Sequence, residues 1–347
     1  MDFVSADFLP WLSGAQQRLR AALALGRMPH SLLLLSTPGL GAELLGSWIT
    51  ALALCASSDR RPCGVCASCQ LLRSDSHPDS HVVRLEEDAQ QIKVDQIRGL
   101  IESLSLKSYR GGYKVGVIEG AEALNANGAN AFLKTLEEPT ADTLLILIAA
   151  PNHRLPATVA SRCLRLALSP PPSDVAVEWL ERRAPDNGVN AARKSWDAAL
   201  SLAGGAPLAA AQLDADAVAE LDADMLRSLS EVAARSADAT LVAERWMRSN
   251  PILRITWLEN WITRRIRECI AARTSDQSAE RVRLPAALLK PKIRALFELL
   301  DAARDFRRLA STGMNQQLAL EALLLGGRTA LANQGLFSGT LGIAKSK

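Results

Sequence analysis

The sequence predicts an α/β domain on a parallel sheet followed by an all-helical remainder. Three observations carry that prediction. Short apolar runs alternate with helix-patterned segments through the first half, the signature of buried parallel strands covered on both faces. Only 4% of residues are aromatic against 48% hydrophobic, a balance dominated by Ala and Leu that favours packed helices. Beyond a proline run at 170–172 the pattern stays helical.

The first run, residues 31–35 (SLLLL), breaks at Ser36-Thr37-Pro38-Gly39, and helical character resumes over 42–54. This reads as strand, glycine loop, helix. A second strand over 114–118 follows Gly111-Gly112 and precedes a helix over 129–137, and a third over 144–150 ends at Pro151-Asn152. Residues 1–168 therefore form one α/β domain. Ser169 to Ser173, with three prolines between, cannot continue a strand ladder and reads as a linker. A small helical domain follows over 169–213, with helices at 175–183 and 191–202 separated by Pro185-Asp186-Asn187-Gly188. The rest, 214–347, reads as a helical domain with boundaries at Pro251 and Pro285 and a loose tail after Gly326. Two or three domains suit 347 residues at about 150 residues per domain.

Forty Lys and Arg against 37 acidic residues leave a net charge of +3, too little to mark a strong polyanion binder. The first residues, MDFVSADFLPWL, carry an acid where an export signal would be basic, and no stretch reaches the roughly 18 unbroken apolar residues of a membrane span. The chain reads as cytoplasmic, with no membrane partner.

Four of six cysteines lie between Cys55 and Cys69. Cys63, Cys66 and Cys69 stand at two-residue spacing, with Cys55 just upstream near the end of the predicted helix. In a chain without an export signal this pattern points to metal rather than disulfides. Four thiolates complete a closed tetrahedral shell, so the expected cofactor is structural zinc. His77 and His81 are the alternatives to Cys55 as fourth ligand. His30 reads as a packed residue rather than a ligand.

A working phosphate loop has the form G-x-x-x-x-G-K-[ST], in which amides cradle phosphate, lysine neutralises it and the hydroxyl holds magnesium. Here Gly39 and Gly41 survive, but the lysine position is Ala42 and the hydroxyl position is Glu43, whose carboxylate repels a triphosphate. The segment is then no more than a strand-to-helix turn. The strand that should end in Asp-Glu ends in Glu119-Gly120-Ala121-Glu122, and Gly120 cannot act as a base. Two separate parts of a hydrolytic site lack their groups, so no functional ATP binding or hydrolysis is expected from this chain.

Phe132-Leu133-Lys134-Thr135-Leu136-Glu137-Glu138-Pro139, together with Ser161-Arg162-Cys163 and the cysteine cluster after the first helix, resembles the clamp-loader branch of the AAA+ ATPases. The match is strong from about 29 to 170 and diffuse beyond. The resemblance implies an AAA+ (RecA-like) sheet domain with an inserted zinc module at 55–69, a small helical lid and a helical collar. It implies a five-subunit ring that opens a sliding clamp and places it on primed DNA. The partners would be the ATPase subunits and the delta subunit of that ring, and polymerase activity would belong to the holoenzyme. It also implies that Arg162 is a finger reaching in trans into a neighbour's ATP site. By the same alignment Leu208 stands where active members carry a nucleotide-sensing arginine, and Ala149-Ala150 where they carry threonines.

Lys134, Glu137 and Glu138 read as an interface rather than an acid–base set. Trp257, Trp261, Arg264, Arg265 and Arg267 lie at helical spacing, either as core tryptophans with an exposed arginine face or as a surface for nucleic acid. Two rival functions remain: a zinc-dependent nucleic-acid-binding module on a passive ATPase scaffold, and an autonomous ATPase.

Overall fold

The computed structural model describes residues 9–86, 89–151, 155–183, 193–274, 291–310 and 315–332. They fall into two compact units, one running to residue 176 with 206–209, the other comprising 177–205 and 210 onward.

The first unit opens with a short turn, Pro10–Leu12, and α1 (Ser13–Ala24). It continues through β1 (Ser31–Leu35), α2 (Ala42–Leu54), α3 (Ala67–Arg73), β2 (Ser80–Val83), α4 (Val94–Ser105) and β3 (Lys114–Glu119). After the turn Ala121–Ala123 come α5 (Ala126–Glu137), β4 (Thr143–Ala149), α6 (Ala157–Ala160) and β5 (Leu164–Ala167). The strands form one parallel sheet in the order β2-β3-β4-β1-β5. Every residue of the central β4 is buried, as a strand covered on both faces must be. Register aligns Leu35 with Ala149 and Glu119 with Ile148. The ends of β1, β3 and β4 therefore lie together on the carboxyl edge, where α/β sheets bind ligands.

Packing explains the covering helices. Ile97, Leu100 and Leu104 of α4 and Phe132 and Leu136 of α5 recur at helical spacing and meet Leu145 and Leu147 of β4 in one buried cluster. Asn125 caps α5 by accepting from the Gly128 amide at 2.8 Å, a contact of a kind that stabilises a helix start by about 1 kcal/mol. A buried lysine, Lys114, stands at the amino edge of the sheet. Its Nζ donates to Leu104 O at 2.5 Å, Leu106 O at 2.8 Å and Thr140 Oγ1 at 2.8 Å, closing the C-terminus of α4.

Next along the chain, α7 (Ser173–Arg183) begins within the first unit, and α9 (Pro207–Ala210) contributes residues 207–209 to it. The second unit is helical: the rest of α7, α8 (Arg193–Leu202), α10 (Ala215–Ala234), α11 (Ala239–Arg248), α12 (Pro251–Thr274), α13 (Pro291–Leu309) and α14 (Gln316–Ala332). Asp214 and Asp238 cap α10 and α11 through side-chain carboxylates, and Pro251 opens α12, where its missing N–H costs nothing. Trp246, Trp257 and Trp261 are buried. The last two stack with centroids 6.1 Å apart, and Trp257 Nε1 donates to Asp222 at 2.9 Å. No helix among the described residues is long and apolar enough to cross a membrane.

Three sequence expectations change. Strands and helices shift by up to three residues at their ends, and β2 and β5 were not foreseen. The helix α14 continues past Gly326 to Ala332, and the rest of the tail expected to be loose, 333–347, lies outside the described residues. Gly327 sits against α13 so closely that a Cβ there would meet Leu299 Cδ1 at 2.6 Å, which makes this glycine a packing residue rather than a helix terminator. His30 is exposed; its carbonyl, not its ring, serves the fold by accepting from Leu145 N at 2.8 Å. The boundaries expected at Pro185 to Gly188 and at Pro285, and residues Asn152, His153 and Arg154, lie outside the described residues.

Candidate functional site: a filled glycine loop, a thiol cluster and an exposed arginine

The glycine loop follows β1 on the carboxyl edge. Gly39 and Gly41 take φ of +83° and +87°, the left-handed region that side chains disfavour. Their lack of Cβ serves close approach by protein. A Cβ at Gly39 would lie 2.5 Å from Ala209 Cβ, and one at Gly41 would lie 2.9 Å from Leu9 Cδ1 and 3.3 Å from Leu208 Cδ1. The Leu208 amide donates to Gly39 O at 3.1 Å, and Trp11 Nε1 donates to Leu40 O at 2.9 Å. Ala42 is buried and Glu43 is exposed. Leu208, read from sequence only as a missing arginine, thus packs on the loop itself. Leu9, Trp11 and Ala209 were not foreseen there, although the apolar cluster before α1 was a visible signal.

At the end of β3, Glu119 is held by Arg84 through a two-point ion pair, Nε to Oε2 at 2.6 Å and Nη2 to Oε1 at 3.1 Å. Gly120 turns the chain with φ +72°. Ala149, at the end of β4, is buried and accepts from the Ser36 amide at 3.0 Å. Glu122 lies within 3.4 Å of the Ala150 amide. The Arg84 partner, 35 residues from Glu119 in sequence, left no local signal.

The opposite end of α2 carries the thiols. Cys55 follows its last residue, Cys66 precedes α3 as its N-cap, and Cys69 lies on the first turn of α3. The four sulfurs of Cys55, Cys63, Cys66 and Cys69 lie within 4.8 Å of one another, and none is in a disulfide. Cys55 and Cys66 sulfurs are 3.9 Å apart, matching the edge of about 3.8 Å that Zn–S bonds of about 2.3 Å define in a tetrahedron. Backbone amides support the sulfurs, with Cys63 N to Cys55 Sγ and Cys66 N to Cys63 Sγ both 3.3 Å. The Val65 and Cys66 amides pull the Cys63 thiol down to about 6, whereas burial pushes Cys55 and Cys69 up. The donor set fits zinc: four soft ligands, no open position and a converging amide shell. His77 and His81 are not in the cluster; burial lowers both imidazoles, and His77 Nδ1 accepts from the Asp79 amide at 3.1 Å.

Arg162 stands between α6 and β5. Ser31 Oγ donates to its carbonyl at 2.6 Å, and the next residue, Cys163, is buried. Its guanidinium is on the surface, with Nε 2.8 Å and Nη2 2.5 Å from Glu137 Oε1, and Nη1 2.9 Å from Thr158 O. Lys134, Glu137 and Glu138 read as a shared surface in the sequence, and Glu137 turns out to be a partner of Arg162 within the chain. Trp257 and Trp261 offer no face for bases to stack on, since both are buried; Arg265 lies over Trp261 at 5.5 Å, and Arg264 and Arg267 belong to the same helix, α12.

A parallel sheet whose first strand runs through a glycine loop into a helix is the phosphate-loop class of α/β fold, and here it carries a four-cysteine cluster and a helical remainder. The family model described as DNA polymerase III, delta subunit, matches residues 12–172. The chain is 34% identical to the DNA polymerase III subunit delta-prime of Pseudomonas aeruginosa over 332 residues, 92% of this chain and 97% of that one. It is 30% identical to the Yersinia pestis delta-prime subunit over 332 residues, 94% and 97% of the two chains. Against the Escherichia coli subunit it is 37% identical over 205 residues, 59% and 60%. The chain belongs to the DNA polymerase III delta-prime family.

Proposed function

We propose that this chain is a non-hydrolysing subunit of the DNA polymerase III clamp-loader complex, working in the cytoplasm. It helps load the sliding clamp onto primed DNA and donates Arg162 in trans to a neighbouring subunit's ATP. The observation that carries the reading is the contrast between a glycine loop packed with Leu9, Leu208 and Ala209 and an arginine held at the surface beside Glu137. A fixed guanidinium next to a γ-phosphate stabilises charge in the transition state, and such fingers are worth about 10³ to 10⁵ in rate. In this reading the partners are the ATPase and delta subunits of the ring. Residues 1–168 serve as the AAA+ domain, 169–213 as the lid and 214–347 as the collar.

Several features support a retired ATP site. Ala42 supplies no charge, Glu43 supplies the wrong one, Glu119 is engaged by Arg84, and Gly120, Ala149 and Leu208 carry no group for nucleotide. Cys55, Cys63, Cys66 and Cys69 hold structural zinc, which when bound cross-links the end of α2 to α3 and leaves no coordination position for a reaction.

The test is reconstitution. Mixed with the ATPase and delta subunits, the chain is expected to co-purify as one complex, and alone to show no ATP turnover. A chain that stays monomeric among those subunits, or hydrolyses ATP unaided, contradicts the proposal. Salt-sensitive DNA binding by the isolated chain that disappears with Cys63→Ser and Cys66→Ser would favour a zinc-dependent nucleic-acid module instead.

A further inference from the structure

Arg162 is more constrained than a surface arginine usually is. Its carbonyl is tied to β1 through Ser31 Oγ, and Cys163 anchors the following backbone, its Sγ 3.4 Å from Val159 O. Glu137, the last residue of α5, receives Nε and Nη2 on one edge of the guanidinium, and Thr158 O receives Nη1. Ser161 Oγ, 3.5 Å from Nη1, adds only a long contact. Guanidinium has five N–H groups in one plane. The three short contacts leave two of the five N–H groups, one on Nη2 and one on Nη1 that has only the long Ser161 contact, and terminal N–H groups of this kind can grip a phosphate. The side chain remains 36% exposed, so a neighbouring molecule can reach part of it.

We infer that Glu137 is a positioning residue for Arg162: it holds the guanidinium by its side edge so that the terminal N–H pair is directed outward for a γ-phosphate. The inference rests on the arginine's proposed role in trans. A long side chain otherwise loses rotamer freedom when it enters a partner's site. A side chain already fixed by Glu137 and Thr158 has given up much of that freedom beforehand, which is how preorganisation raises rate. Helix geometry assists. The guanidinium lies beside the C-terminus of α5, where carbonyl dipoles favour a cation.

The experiment uses the assembled complex in which only the ATPase neighbour beside this chain keeps a working phosphate loop, so that turnover reports the site Arg162 serves. Glu137→Gln keeps size and hydrogen-bonding capacity but removes the charge. It is expected to lower kcat about fivefold, the rate equivalent of the roughly 1 kcal/mol at the top of the range for exposed ion pairs. KM for ATP and co-purification are expected to stay unchanged. Arg162→Ala is expected to lower kcat far more, and the double variant to match Arg162→Ala alone, because Glu137 acts only through the arginine. If Glu137→Gln leaves kcat unchanged while Arg162→Ala lowers it, the positioning role is wrong and the finger stands. If Glu137→Gln slows the Arg162→Ala complex further, Glu137 acts independently and the inference fails. If Arg162→Ala itself changes nothing, the finger assignment falls and the positioning role with it.

Discussion

The two ends of α2 have had opposite fates. At its N-terminus, backbone amides and a positive helix end form a natural anion site, yet Ala42 is buried there, Glu43 replaces the hydroxyl and the loop is packed by Leu9, Leu208 and Ala209. At its C-terminus the ligand set is complete, with four sulfurs within 4.8 Å. A phosphate site works through charge, and in the proposed reading Ala42 supplies none and Glu43 the wrong sign. A structural metal site works through ligand identity alone, and every ligand is present. On the proposed reading the same helix carries a phosphate loop without its chemistry at one end and a four-thiol metal staple at the other.

Removing the metal is the largest expected perturbation. Structural zinc contributes roughly 10 kcal/mol or more in small cysteine modules, so chelation or Cys63→Ser with Cys66→Ser is expected to release one zinc per chain and expose the remaining thiols of the 55–69 segment to alkylation. Buried Cys163, outside the module, should stay protected. Its exposure would mean the metal holds the whole sheet, not one end of α2.

Restoring the missing loop residues tests the other end. Ala42→Lys with Glu43→Thr is expected to leave ATP binding absent by equilibrium titration, because the packing around Gly39 and Gly41 remains. Forcing a longer side chain into the buried position of Ala42 should cost about 1–3 kcal/mol, read as a lower urea midpoint. Saturable ATP binding by this variant would show that charge alone had been lost.

Lys114 supplies a control at the far edge of the sheet. Lys114→Met takes the Nζ donor from Leu106 O and leaves Leu104 O with only the Thr140 hydroxyl, and is expected to lower stability by about 1–3 kcal/mol, with zinc content unchanged. The smallest effect belongs to Glu119→Gln. Its partner Arg84 is 57% exposed, so the pair is worth up to about 1 kcal/mol, and turnover by the complex should not change. A large loss of turnover would make Glu119 a working acid.

Much of this was legible in sequence, and the rest was hidden for physical reasons. β1 and α2 begin and end where the apolar run and the glycines place them. The thiol cluster followed from spacing. Edge strands escaped because they lack a buried face on both sides: β2 reads Ser80-His81-Val82-Val83 and β5 is mostly exposed, so neither forms a continuous apolar run. Long-range partners escaped as well. Glu137 looked like part of an interface because Arg162 is 25 residues away, and no local pattern joins them. The filling of the glycine loop depended on a four-residue helix, Pro207–Ala210, too short to carry a period. Arg162 itself was visible only through its motif.

The division of labour rests most directly on ATP turnover by the reconstituted complex carrying Arg162→Ala in this chain. That complex is expected to assemble, bind ATP on its partners and retain its zinc, while hydrolysis at the site beside this chain falls by about 10³-fold or more, the scale of arginine fingers elsewhere. Wild-type turnover at that site would contradict it.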